Sequence, residues 1–134
     1  MKQALLYVRS AGRQGSGIQH QQSDCKAYAT KNGFEVAHII CESGMAGRID
    51  AYRTGLASLL ALARAHDFDT LIMYSFDRIS RSEHEVYTYL DQIAECGIDI
   101  LSIHEGSYAK YRAEYAEFAR QFLAAAIQGR TCNQ

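Results

Sequence analysis

The chain has 134 residues, 48% of them apolar, and a formal net charge of −1. That length and composition suit one domain with a real core, and the charge excludes a protein that holds nucleic acid through a uniformly basic surface. No apolar run is long enough to cross a bilayer, and Ala4 to Val8 is too short for a signal-peptide core, so a cytoplasmic protein with no membrane partner is expected.

Ala4 to Arg9 reads as a first strand, with Leu5, Leu6 and Val8 apolar on both faces, as a buried parallel strand requires. Ser16-Gly17-Ile18-Gln19 has capping-box spacing and opens a helix to Lys31, which Asn32-Gly33 closes. Phe34 to Cys41 is a second strand rich in Val and Ile, followed by a glycine-bearing loop from Glu42 to Asp50. A helix from about Tyr52 to Ala65 places Leu56, Leu59, Leu60 and Ala63 on one face. Thr70 to Ser75 is the third strand. Ser82 and Glu85 form a second capping box for a helix to Glu95, with Val86, Leu90 and Ile93 inward and Gly97 at its end. Ile98 to Ile103 is the fourth strand, and Tyr108 to Gln128 a last long helix.

Strands alternating with helices imply crossovers and a parallel sheet. The expected class is α/β: three layers, flavodoxin-like, strand order 2-1-3-4. Residues 1–106 would form the α/β unit and residues 107–134 the terminal helix. In that order the loops after strands one and three open side by side at the switch point, which brings Arg9, Asp77, Arg78 and Arg81 together. Along the last helix Tyr111, Tyr115, Phe118, Phe122 and Ala125 recur at spacings of four and three. That seam either covers the sheet edge or crosses to a partner subunit.

The densest chemistry lies in Tyr74-Ser75-Phe76-Asp77-Arg78-Ile79-Ser80-Arg81. One carboxylate and two guanidinium groups stand where a strand gives way to a helix. Arginine near a helix N-terminus is disfavoured by the macrodipole, so the pair is placed for an anion such as phosphate rather than for stability. A solvated ion pair at a helix start is the plainer alternative. His104-Glu105, after the fourth strand, could join the site. Other patterns carry less. Cys25, Cys41, Cys96 and Cys132 form no C-x-x-C pair and read as free thiols, and His20, His38, His66, His84 and His104 lack ligand spacing, so no metal is expected. Gly12, Gly15 and Gly17 follow a strand, but the spacing is not that of a nucleotide loop and no Lys-Ser/Thr pair completes one. A phosphoacceptor receiver domain would share the fold, but it needs clustered aspartates after the first strand, where this chain is basic.

Four segments in order carry a resemblance: Tyr7-Val8-Arg9; Ile18-Gln19-His20-Gln21; Glu42-Ser43-Gly44-Met45-Ala46-Gly47 with Arg53 downstream; and Phe76-Asp77-Arg78-Ile79-Ser80-Arg81. In them the chain resembles the catalytic domain of serine recombinases, the resolvase/invertase family. Its motifs there are Tyr-x-Arg, Ile-x-x-Gln, Asp-x-Gly-x-Ser-Gly…Arg-Pro and Asp-Arg-Leu-x-Arg. The resemblance implies site-specific DNA recombination through a serine joined to a 5′ phosphate, without metal or cofactor, in a dimer or tetramer. It implies that Arg9, Arg53, Arg78 and Arg81 contact the scissile phosphate, that Asp77 orients an arginine or assists proton transfer, and that Gln21 helps position the nucleophile region. Gln14, with Arg13 and Arg48, would contact DNA.

Two departures stand out. The family's serine stands two residues after the arginine, where this chain has Ala11, and Ser10 lies one residue early. Alanine has no oxygen to form the covalent bond. Alternation points Arg9 and Ala11 to one face and Ser10 to the other, so Ser10 serves as nucleophile only if a bulge or the strand end turns it. Gln14, four residues after Ser10, matches a glutamine the family often has at that distance from its serine. Ala46 replaces a second family serine and Thr54 a proline. The last helix runs into Gly129 to Gln134 with no helix-turn-helix pattern, so the family's DNA-binding domain is expected to be absent from this chain, which reads either as a fragment of a larger recombinase or as a catalytic-like domain standing alone. Three readings stay open: an active recombinase domain, an inactive homologue that assembles through its last helix, and a phosphate- or nucleotide-binding flavodoxin-like domain.

Overall fold

The structure is a computed structural model that describes residues 1–10, 16–43 and 54–132. Its elements are β1 (Gln3–Ser10), α1 (Ser16–Lys31), β2 (Glu35–Ser43), α2 (Thr54–Arg64), β3 (Thr70–Met73), a single 3-10 turn (Phe76–Arg78), α3 (Glu83–Glu95), β4 (Asp99–Ser102), β5 (Gly106–Ser107) and α4 (Tyr108–Cys132). The sheet runs β2-β1-β3-β4-β5, with β2, β1, β3 and β4 parallel. The expected 2-1-3-4 order is therefore present. The sequence reading omitted β5, an antiparallel edge strand that pairs Leu101 with Ser107 and Ser102 with Gly106. Two residues leave too little pattern for a strand to be read from periodicity.

β1 and β3 are central, and both faces of each are covered. Ala4, Leu6, Val8 and Ile72 pack with Cys25 and Ala29 of α1 on one side. Leu5, Tyr7, Leu71 and Met73 pack on the other with Leu56, Leu59 and Ala63 of α2 and Val86, Leu90 and Ile93 of α3. Each fully buried aliphatic side chain of this kind contributes about 1.5–3 kcal/mol, which is why the apolar runs of β1 and β3 decide where the core sits.

The termini explain themselves locally. Gly33 adopts φ 79°, and the Phe34 N–H returns to the Ala29 carbonyl at 2.9 Å, closing α1 in a Schellman turn that a side chain at position 33 would strain. Gly55 lets α2 approach β2, since a Cβ there would stand 3.1 Å from the Glu42 Cδ. At α3 the Glu85 N–H donates to Ser82 Oγ at 3.4 Å, while the Glu85 carboxylate accepts from the Ser80 hydroxyl at 2.6 Å. The anticipated capping box thus has its first half, and Ser80 is tied in beside it.

Among the described residues, α4 rests on the body through its start. Tyr108 and Tyr111 pack against Phe76 at ring distances of 5.3 and 5.1 Å, the Tyr108 hydroxyl donates to Asp91 at 2.7 Å, and Arg112 pairs with Asp91 at 3.3 Å. Burial, then the bond to Asp91, pushes the Tyr108 phenol well above its ordinary range. Further on, Tyr115, Phe118, Phe122, Leu123 and Ile127 are all exposed. With 25 residues, α4 spans about 37 Å at the usual rise. Edge-covering therefore describes its first two turns and not the rest. No helix among the described residues is long and apolar enough to cross a membrane.

Cys25 sits wholly inside the α1-side core, and burial pushes its thiol up to about 12. In the unfolded chain the thiol ionises near pH 8.5, so the unfolded form releases its proton first. Stability from this group is complete below that pH and is lost progressively as pH rises toward about 12. Denaturant midpoints measured from about pH 8 to pH 10 should fall for the wild type and stay flatter for Cys25→Ala. Equal slopes would refute the assignment.

Candidate functional site

β1 and β3 are neighbours, with Tyr7 opposite Met73, so their C-terminal ends open together. Arg9 lies in the last turn of pleat of β1. Asp77 and Arg78 lie on the 3-10 turn that follows β3, and Arg81 directly precedes the Ser82 cap of α3. These four line one cavity of about 350 Å³. Residues separated by up to seventy-two positions of chain thus meet at the carboxyl end of the sheet, where open α/β folds take ligands.

Each arm is held. The Arg9 guanidinium donates through Nη1 to the Ile79 carbonyl at 3.4 Å, which ties β1 to the loop bearing the other arginines. Gln21 is buried on α1. Its Nε2 donates to the Arg9 carbonyl at 2.9 Å, and its Oε1 accepts from the Arg9 N–H at 3.4 Å. One amide thereby satisfies both backbone groups of the residue before Ser10. Tyr7, buried beneath, donates its hydroxyl to the Glu42 carboxylate and joins the ends of β1 and β2.

On the far side, Arg78 Nε stands 3.3 Å from the Asp77 carboxylate. Three further residues hold this turn, of which the sequence reading offers Glu105 alone as a candidate for the site. The buried Ser75 hydroxyl donates to Asp77 and accepts from Arg78 Nε at 3.3 Å. The buried Ser80 hydroxyl donates to Glu85 and accepts from the Ser82 N–H at 3.1 Å. Glu105 accepts from the Phe76 N–H at 3.2 Å and from the Ser102 hydroxyl at 2.6 Å. Both serines lie inside the charged octapeptide; only burial separates them from surface serines, and burial is not local information.

The described lining of the cavity is three guanidinium groups against one carboxylate. The Asp77 side chain is 66% exposed, so its pairing with Arg78 contributes little to stability. What the arrangement offers is a set of planar donors for a tetrahedral or pentacoordinate anion. Ser10 ends β1 opposite Ser43, and its side chain falls outside the described residues. So do Ala11, Arg13, Gln14, Ala46, Arg48 and Arg53. Among the described residues no cluster of His, Cys, Asp and Glu is placed to hold a metal ion. A larger cavity, about 590 Å³, is lined by Lys2, Thr70 and Asp99 at the starts of the strands. Its ion pair, Lys2 with Asp99 at 3.8 Å, is solvated, and no chemistry converges there.

Residues 4–129 match the family described as resolvase, N-terminal domain. No curated protein matches the chain. Among solved structures, the N-terminal catalytic domain of TP901-1 integrase superposes with a TM-score of 0.71 at 24% identity, over 90% of this chain and 98% of that one. A resolvase family site-specific recombinase from Streptococcus pneumoniae gives 0.70 at 17% identity, over 96% and 97%. The C-terminal catalytic domain of ISC1926 TnpA, an IS607-like serine recombinase, gives 0.65 at 18%, over 90% and 82%. At these identities the likeness is one of fold.

Proposed function

The chain belongs to the resolvase N-terminal domain family, and from that premise we propose that it is the catalytic domain of a site-specific DNA recombinase. The observation that carries this reading is the convergence of Arg9, Asp77, Arg78 and Arg81 on one cavity at the ends of β1 and β3. A phosphodiester fits such a pocket. As the phosphorus becomes pentacoordinate its oxygens gain negative charge, and guanidinium groups already in place stabilise that charge without reorganising.

In the proposed reaction a serine Oγ forms a bond to phosphorus as the P–O3′ bond breaks. The serine proton is given up, the 3′ oxygen takes one, and the reverse step rejoins the strands. Ser10 is the serine to which we give this role, one residue beyond the backbone that Gln21 holds. Arg53, with Arg13, Gln14 and Arg48, would complete the grip on DNA, and α4 would join subunits into a dimer or tetramer.

Ala11, at the family's usual nucleophile position, favours a second reading: a domain that holds DNA and assembles without cutting it. A suicide DNA substrate carrying the cognate site separates the two. The expected result is a covalent protein–DNA adduct in denaturing gels that Ser10→Ala removes. Adduct that survives Ser10→Ala rejects Ser10, and DNA binding without any adduct selects the non-cutting reading.

A further inference from the structure

We propose that Ser75 is a positioning residue that sets the aim of Arg78 in the phosphate pocket, an inference that rests on the recombinase reading above. Ser75 follows the end of β3 in extended backbone, with φ −154° and ψ 156°, and is 7% exposed. Its single hydroxyl serves two charged groups at once. The proton goes to the Asp77 carboxylate, and a lone pair accepts from Arg78 Nε at 3.3 Å. Asp77 Oδ1 stands 3.3 Å from the same Nε. Ser75, Asp77 and the Arg78 Nε–H therefore close a triangle at the root of the guanidinium.

An arginine side chain free in solution samples many rotamers, and ordering it costs free energy at the moment of binding. Anchoring Nε leaves the two Nη groups to meet the phosphate while the plane of the fork is already set. A bidentate grip on phosphate depends on that plane. The anchor itself is on rigid ground. Phe76 is buried, its N–H is held by Glu105 at 3.2 Å, and the next core residue, Ile79, is fully buried. A functional group is aimed well only when its support does not move.

The hydroxyl is not what makes the turn. The Arg78 N–H donates to the Ser75 carbonyl at 3.1 Å, and Ile79 N–H to the Phe76 carbonyl at 3.2 Å, both through backbone alone. Ser75→Ala should therefore fold, with the turn kept and the side-chain triangle opened. With the hydroxyl gone, Asp77, already largely in solvent, turns to water, and Arg78 loses its fixed neighbour.

Two readouts on the full chain test this. The first is the Nε–Hε signal of Arg78 in ¹⁵N-labelled protein, assigned by its loss in Arg78→Lys. Its hydrogen exchange should be slowed in the wild type, quickened by about tenfold in Ser75→Ala, and restored in Ser75→Thr, as a lost hydrogen bond requires. The second is single-turnover cleavage of a suicide DNA substrate. The rate at saturating DNA should fall by about tenfold in Ser75→Ala with half-saturation changed by less than about twofold, and Ser75→Thr should recover it. If Ser75→Ala does not fold, Ser75→Cys, close in volume and a poor hydrogen-bond partner, takes its place. Unchanged exchange in a folded variant overturns the proposal whatever the cleavage does. Quickened exchange with an unaltered cleavage rate overturns the role in the reaction. Quickened exchange in a protein whose wild type never cleaves DNA upholds the anchor and defeats the recombinase reading alone.

Discussion

Arg78→Ala is expected to slow single-turnover DNA strand cleavage by about 10²–10³-fold, the usual cost of removing one preorganised donor from a charged transition state. Arg78 is the right probe because its loss should be felt in chemistry and not in folding. Its side chain is 32% exposed, and its closest ionic partner, Asp77, lies mostly in solvent, so the pair adds little to stability. The melting temperature should move by less than about 2 °C. Arg78→Lys keeps the charge but not the planar fork, and should recover less than about a tenth of the lost rate. Cleavage within about tenfold of wild type in Arg78→Ala would remove the pocket from the reaction and leave it a surface feature.

The second large effect concerns assembly. Phe118→Glu with Phe122→Glu should turn an oligomer into a monomer in sedimentation or light scattering. The two rings are 66% and 69% exposed in the single chain, and Tyr115, three residues before Phe118, extends the same apolar run along α4. Aromatic side chains left in water on a projecting helix suit the centre of an interface. If each is a hot spot of about 2 kcal/mol, the pair of changes weakens association by about 10³-fold. The fold itself should be untouched, because among the described residues the aromatic contacts of α4 with the body are made by Tyr108, Tyr111 and Tyr115, the last 4.6 Å from the Tyr87 ring, and the two substituted rings lie beyond them. A wild-type protein that stays monomeric at high concentration would refute this use of α4. An oligomer that the double change leaves intact would refute the placement of the interface.

Arg78 and the seam of α4 differ in how much of their role the local sequence encodes. Arg78 stands in an octapeptide whose charge pattern, at a strand-to-helix junction, carries the expectation of an anion site in the sequence alone. For α4, the four-three spacing announces an apolar seam but not what covers it. That depended on where the body ends. The first two turns meet Phe76 and Asp91, and the seam beyond them is exposed among the described residues. The sequence pattern of both halves is the same, so no periodicity could divide them.

Much of the fold was legible for a simple reason. Side-chain alternation, helical spacing and turn chemistry are local properties. The double-sided apolar runs at Ala4–Val8 and Thr70–Met73 mark central parallel strands. Gly33 and Gly97 mark helix ends, because only a residue without Cβ takes their positive φ cheaply. His66 shows the limit of such signals. It ends α2 at φ 54° without being glycine, with its ring 3.3 Å from the Cys96 carbonyl. A distant contact there offsets a local cost.

By itself, then, the chain's order of residues determined the α/β class, the neighbouring strands and the identity of the charged groups, since each follows from short-range sterics and the burial of apolar runs. Tertiary structure alone decided which serines are buried supports, that Gln21 clasps the backbone of Arg9, and that Glu105 reaches back to Phe76. Those contacts join residues 2 to 29 positions apart. The contacts of Gln21 and Glu105 arise only when separate elements are folded together at one end of the sheet, and even within the single turn of Ser75 and Ser80 no local pattern encodes which polar side chain will be left facing another once water has been excluded.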